Sequence, residues 1–195
     1  MRVTISIKKA QFANKHGKLI LSDGTVIDGK GFGYPKTVFG ELVFNTGMVG
    51  YTETLTDPSY AGQILTLTYP LIGNYGVPDP SLKDKSGISQ FFESDKIQAR
   101  GLVVHELSEV ASHWNLALTL DEWLHNEQVP GISGIDTREL TKKLRTSGVM
   151  MAALAVSDSE IDVEYNKKTA CGYQIIHLRR IHGSSLYKRS SNIWG

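Results

Sequence analysis

Cysteine and histidine are the side chains that most often carry nucleophilic or metal chemistry, and this chain uses them sparsely. Cys171 is the single cysteine among 195 residues. A nucleophilic cysteine needs a base within hydrogen-bond reach and small neighbours at a strained turn. Cys171 has one flanking glycine, and no histidine–glutamate pair follows it. We therefore interpret Cys171 as an unpaired thiol without a catalytic role.

Metal and nucleotide motifs are also missing from the sequence. Zinc sites commonly use the spacings HxxxH or HExxH, or a second cysteine, and none of these occurs. Neither GxxxxGK[ST] nor GxGxxG is present, so no phosphate loop of those types is expected. We predict no metal site and no cofactor in this chain, and interpret six histidines as ordinary, partly exposed side chains: His16, His105, His113, His125, His177 and His182.

An acid beside a serine, in Asp57-Pro58-Ser59-Tyr60, resembles a catalytic pair. Asp-Pro-Ser is also a common turn opener, because Asp hydrogen-bonds the following backbone and Pro fixes φ. No base stands nearby in the sequence. We favour the turn, with residues 56–60 shaping an interface.

The most distinctive segment is the run from Gly40 to Gly76, which is dense in Gly, Thr, Tyr and Pro. Its glycines allow backbone shapes that other residues resist. Residues 41–46 and 63–68 alternate in β-favouring residues like half-buried strands. We expect this run to build a specific surface between two strands.

Five unusual blocks follow one another in the sequence: FNTGMVGY (44–51), TDPSYAGQI (56–64), TYPLIGNYG (68–76), GLVV (101–104) and PGISGIDTRELTKKLR (130–145). In this order they resemble the N-terminal domain of the small, glutamine-handling subunit of carbamoyl-phosphate synthetase. The resemblance covers roughly residues 17 to 156. It implies an α/β fold, specifically a layered β/β/α swivelling domain, and local pattern alone also favours a mixed α/β or α+β domain.

The resemblance implies a function in glutamine-dependent carbamoyl phosphate synthesis from glutamine, bicarbonate and ATP, for pyrimidine and arginine biosynthesis. In the family, a cysteine with a His–Glu pair hydrolyses glutamine in a separate C-terminal amidotransferase domain, which we expect to be absent from this chain. ATP and a divalent metal are used by the large subunit, the implied partner. We expect no glutaminase activity from this chain alone.

Four residues are candidates for binding. The resemblance implies that Gly47, which follows the FNT motif, lies at the domain boundary and contacts glutamine. The alternative is that Gly47 only permits a tight turn. Tyr51, Tyr69 and Tyr75 are interface candidates, because aromatic residues with few charges nearby are enriched at buried centres of interfaces.

Clear signals mark the elements that must position these residues. Asp23-Gly24 predicts the turn of a hairpin over 18–33. Thr119 with Glu122, and Asp136 with Glu139, have capping-box spacing and predict two helix starts. The second helix is expected to end at Gly148. We further predict strands over 99–107 and 149–156, and a surface excursion over 78–95 with one short helix possible and an apolar anchor of Ile88, Phe91 and Phe92.

Charge divides the chain near residue 165. All 20 acidic residues precede it, whereas residues 165–195 hold six basic residues and no acid. We expect a lead-in over 1–16, the family domain over 17–157 and an aberrant basic tail over 158–195. A one-base frame shift under plausible codons turns residues 180–195 into a string resembling the family segment before the amidotransferase domain. The alternative is a genuine tail, such as a basic arm.

Composition indicates a globular cytoplasmic protein. The single cysteine suits a reducing compartment. No apolar stretch approaches the roughly 18–20 residues that span a bilayer, and no secretory signal is recognisable. We expect neither membrane nor nucleic-acid partners. Two alternatives stay open: a stand-alone regulatory module that docks on the large subunit, and a piece of a fused multifunctional enzyme.

Overall fold

The computed structural model describes residues 6–9, 15–164 and 166–172. Within them the chain forms a mixed α/β fold whose strands are β1 (Ser6–Lys9), β2 (Lys15–Leu21), β3 (Val26–Gly33), β4 (Thr37–Asn45), β5 (Ile64–Leu67), β6 (Leu71–Ile72), β7 (Gly101–Val103), β8 (Glu106–Leu107), β9 (Val110–His113), β10 (Pro130–Ser133) and β11 (Met151–Ser157). The helices are α1 (Tyr51–Thr56), α2 (Leu120–Asn126) and α3 (Thr137–Ser147), with a 3-10 turn at Pro58–Tyr60.

Seven of these strands form one closed sheet in the order β10-β3-β2-β11-β4-β5-β7. The sheet closes because β7 pairs with β10. The β4–β5, β5–β7 and β7–β10 pairs are all parallel, so the carboxyl ends of these four strands lie along the same edge. Two small pairs, β1 with β9 and β6 with β8, stand apart from this sheet.

The hydrophobic core lies on both sides of the parallel strands. Side chains alternate along a strand, so neighbours face opposite ways. On β5, Leu65 and Leu67 join one cluster with Trp123 of α2, whereas Ile64 joins a second cluster with Leu144 of α3. The two helices therefore pack on different sides of the same sheet.

Sequence signals for the two long helices are confirmed. Thr119 and Glu122 form a complete capping box before α2, in which each side chain accepts a hydrogen bond from the other residue's backbone N–H. Asp136 accepts the Glu139 N–H before α3. Helix α3 ends at Gly148, whose φ of +71° suits a residue without a side chain.

The predicted hairpin is also confirmed, since β2 and β3 pair across the Asp23–Gly24 turn. Strands β4, β5 and β11 occupy the predicted segments within a few residues. The Asp57 turn is confirmed too: its carboxylate accepts the Ser59 N–H at 2.8 Å, and Pro58 begins the 3-10 turn.

Three expectations need correction. The strand predicted over 99–107 is broken into β7 and β8, because β7 stays in the closed sheet while β8 leaves it to pair with β6. The excursion over 78–95 contains no helix among its residues. Ile88 is 64% exposed and anchors nothing, whereas Phe92 packs against the ring of Trp123 at 5.4 Å.

The start of the predicted tail also differs from expectation. Residues 166–172 are helical, although the sequence shows no clear helical period there. Ala170 is fully buried against Ile20 and Ala153. The proposed frame shift over 180–195 lies outside the described residues. Within the described part of the chain, no helix is long and apolar enough to cross a membrane.

Candidate functional site

The candidate site is the loop that follows β4, and its first residues are fixed by Asn45. The Asn45 side-chain oxygen accepts the Gly47 N–H at 2.6 Å, and its amide nitrogen donates to the Tyr60 hydroxyl at 3.1 Å. The Gly47 N–H is therefore engaged inside the loop. Gly47 itself is exposed, as are Thr46, Met48 and Val49 beside it.

The turn-only explanation for Gly47 lacks its expected backbone signature. Nine glycines of the described residues have positive φ, and Gly47 is not among them. The left-handed residue of this loop is Gly50, with φ of +80°, at the start of α1. A Cβ added at Gly47 would lie 3.0 Å from the Asn45 side-chain oxygen, which a small shift of Asn45 relieves. Serine is thus compatible with this position.

Two stacked tyrosines hold the far end of the loop. The rings of Tyr51 and Tyr75 lie 4.2 Å apart with an angle of 18° between their planes. The Tyr75 hydroxyl accepts the N–H groups of Gly50 at 2.9 Å and of Tyr51 at 3.0 Å. The Tyr51 hydroxyl donates to the Gly76 carbonyl at 2.6 Å. These bonds join the loop firmly to the segment around residue 75.

Both hydroxyls stay protonated at physiological pH. Burial, together with the neighbouring Tyr75 and the Glu53 carboxylate, raises the pKa of Tyr51 far above its usual value. Burial also raises the pKa of Tyr75. These tyrosines therefore work as neutral hydrogen-bonding groups and not as acids or bases.

The three tyrosine candidates occupy different environments. Tyr51 is only 3% exposed and belongs to the core, and Tyr75 packs against that core. Tyr69 is 37% exposed, so part of its side chain lies on the surface. The sequence did not single out Met48 and Val49, which are 70% and 79% exposed at the tip of the loop. The sequence signal that could have identified them is the triplet Gly47-Met48-Val49, in which two apolar side chains directly follow the FNT motif.

Reactive groups do not converge on this loop. Among the described residues, no cluster of three or more His, Cys, Asp or Glu side chains could hold a metal ion. Cys171 is exposed and unpaired in the helical segment 166–172. Residues 46–49 of the loop are exposed and uncharged.

The fold that carries this loop is a mixed α/β domain built on a closed seven-stranded sheet. The sequence model of the family described as carbamoyl-phosphate synthase small chain, CPSase domain, matches residues 19–154. The chain belongs to this family.

Relatives agree with this assignment. The carbamoyl phosphate synthase small chain of Saccharolobus solfataricus is 55% identical over 149 residues, which are 76% of this chain and 40% of that protein. The arginine-specific small chain of Aspergillus oryzae is 41% identical over 92% of this chain and 40% of its own. The mitochondrial carbamoyl-phosphate synthase [ammonia] of Aquarana catesbeiana is 48% identical over 82% of this chain and 11% of its own. The chain thus spans about 40% of the length of these small chains.

Proposed function

We propose that this chain is the N-terminal, non-catalytic part of the glutamine-handling small subunit of a carbamoyl-phosphate synthase. The observation that carries the proposal is the family match over residues 19–154. The full enzyme would make carbamoyl phosphate from glutamine, bicarbonate and ATP. The small subunit would release ammonia from glutamine, and the large subunit would consume it with ATP and a divalent metal.

The domain would contribute a wall of the glutamine pocket. In this proposal Gly47 lies at the boundary with the amidotransferase domain and offers its backbone to the substrate. Asn45 and the Tyr51–Tyr75 stack support that loop from behind. A loop whose own N–H groups are already bonded keeps one shape, so the incoming domain meets a preformed surface.

The domain would also contact the large subunit. The exposed Tyr69, together with Met48 and Val49, supplies apolar surface of the kind that interfaces bury. We propose a cytoplasmic location and the layered β/β/α swivelling arrangement for this mixed α/β fold. The stand-alone regulatory module has no observation that favours it over the small-subunit domain.

The experiment combines binding and turnover with the full 195-residue chain. We expect it to bind the large subunit of a related synthase in analytical ultracentrifugation, and to release no ammonia from glutamine. The matched control for Tyr69→Ala is Ile88→Ala, which changes another exposed apolar side chain in the excursion. Weaker binding with Tyr69→Ala alone supports the proposal. Glutamine turnover that disappears with Cys171→Ser would overturn it, as would a folded chain that does not bind the large subunit.

A further inference from the structure

A second concave surface lies on the other side of β4, against α3. It is a cleft of about 620 Å³ at the carboxyl ends of the parallel strands β4 and β5. Ligands of parallel sheets commonly bind outside the carboxyl ends of the strands. The size lies within the range of small-molecule sites. Its lining residues are Thr46, Thr68, Pro70, His105, Asp136, Thr137, Arg138, Thr141, Lys142 and Arg145.

Helix α3 gives this cleft an excess of positive charge. Arg138, Lys142 and Arg145 are spaced four and three residues apart, so they share one face of the helix. All three are exposed, and among the described residues none forms an ion pair. Lys143, on the neighbouring face, is instead paired with Asp23 at 2.6 Å. Like charges at this spacing repel each other, and an anion between them would relieve that repulsion.

One of the cations is also held in place. The Arg145 guanidinium lies 5.7 Å from the centroid of the Phe44 ring on β4. Arginine presents a planar fork of N–H donors that matches phosphate and carboxylate oxygens. Asp136 is the single acid in the lining, and its carboxylate is occupied by the Glu139 N–H.

Hydroxyl groups line the opposite wall. Thr46 and Thr68 stand at the ends of adjacent strands, where the Thr68 N–H donates to the Asn45 carbonyl at 3.1 Å. Neutral O–H donors opposite guanidinium groups are a donor set suited to phosphoryl oxygens.

We propose that this cleft binds a small polyanion that carries phosphoryl groups. The concave volume, the strand-end position and the mixture of hydroxyl and guanidinium donors favour a compact phosphorylated compound over an acidic segment of a protein. Gly47 is not among the residues that line the cleft, and the proposal does not depend on the role in glutamine handling.

The test is isothermal titration of the full 195-residue chain with inorganic pyrophosphate at constant ionic strength. We expect saturable binding of one equivalent, weakened about tenfold by Arg138→Gln and by Arg145→Gln, because a charge-assisted hydrogen bond is lost. Asp136→Asn keeps a capping side chain and removes the acid, so it should tighten binding. If either arginine variant does not fold, Lys142→Gln replaces it, and we expect it to weaken pyrophosphate binding as well.

Two controls separate the cleft from general attraction to basic residues. Arg189→Gln makes the same substitution in the basic tail, and Lys85→Gln makes the same charge change on the exposed excursion. We expect neither to change the affinity. Equal weakening by a control and by a cleft variant would overturn the site. So would the absence of saturable binding, equal competition by citrate, or binding of poly-glutamate without binding of pyrophosphate.

Discussion

The two sides of β4 end in very different surfaces. On one side, the Gly47 loop satisfies its polar groups internally through Asn45, Tyr51 and Tyr75, and exposes apolar side chains. On the other side, the cleft beside α3 leaves three cations without a described ion-pair partner. The hydrogen bonds within the first surface contribute to the stability of the fold. The cations of the second surface have no ion-pair partner among the described residues, so they are available to bind an anion. Substitution of the buried tyrosines on the first side should therefore change folding stability, and substitution of the cations on the second side should change anion binding.

Among the variants that test this comparison, Tyr51→Ala should cause the largest loss of stability. It removes a buried ring and its stack with Tyr75, so we expect a loss of about 3–5 kcal/mol in the free energy of unfolding, as for other buried aromatic truncations. Tyr69→Ala is the matched control and should change stability by less than about 1 kcal/mol, because its side chain is more exposed. Urea denaturation of the full chain measures both. Similar losses for the two variants would break the comparison.

Tyr75→Phe isolates the hydrogen bonds of the loop from its packing. The ring stays, but the N–H groups of Gly50 and Tyr51 lose their acceptor. We expect a loss of about 1–3 kcal/mol by urea denaturation, the usual result of leaving buried donors unpaired. Tyr69→Phe removes a hydroxyl from the exposed candidate and should leave stability unchanged. An unchanged midpoint for Tyr75→Phe would show that the loop does not depend on these bonds.

Asp136 connects stability with binding, because it begins α3 and lines the cleft. Asp136→Ala removes the side chain that accepts the Glu139 N–H and should cost about 1 kcal/mol of stability. Asp136→Asn keeps an acceptor and should cost much less. Thermal denaturation of both variants provides the check. Equal destabilisation would mean that the charge of Asp136, and not its role as a cap, supports the helix.

The capping box of α2 predicts a smaller, pH-dependent effect. Burial alone would raise the pKa of Glu122, but hydrogen bonds from Thr119 and the nearby Lys8 outweigh it, so the pKa is lowered below its usual value. A carboxyl with a lowered pKa stabilises the fold above its unfolded-state pKa, and this contribution is lost as the pH falls through the folded-state pKa. Glu122→Gln should therefore lose less stability than the parent chain between neutral pH and pH 3.

Denaturation midpoints across this pH range measure the difference. Glu109→Gln, an exposed glutamate outside any helix, is the control and should follow the parent chain. The prediction would be contradicted if the denaturation midpoints of the parent chain and of Glu122→Gln fell equally between neutral pH and pH 3.

Local signals predicted the elements whose cause is local. Thr119 and Asp136 begin helices through contacts three residues away, and Asp23-Gly24 makes a turn between two alternating strands, so the sequence alone was sufficient. The helix α1 was not predicted, because its short span follows glycines and carries threonines that do not favour helices. Its start depends on Tyr75, which lies 24 residues further along the chain.

Long-range pairing explains the remaining differences. The break within 99–107 follows from partners on β5, β6 and β10 that local alternation cannot identify. The burial of Ala170 depends on Ile20 and Ala153, far away in sequence. In the α3 segment, the sequence places Lys142 and Arg145 near the end of the predicted helix and gives no indication of a shared cleft. Their position above Thr46 and Thr68 requires the parallel pairing of β4 and β5.

The central claim is that this chain supplies the N-terminal domain of a small subunit, and a chimera tests it most directly. Residues 17–157 would replace the corresponding segment of the Saccharolobus solfataricus small chain, to which this chain is 55% identical. We predict that the chimera, assembled with the large subunit of that enzyme, makes carbamoyl phosphate with glutamine as the nitrogen source. A folded chimera that binds the large subunit but works only with ammonia would contradict the account.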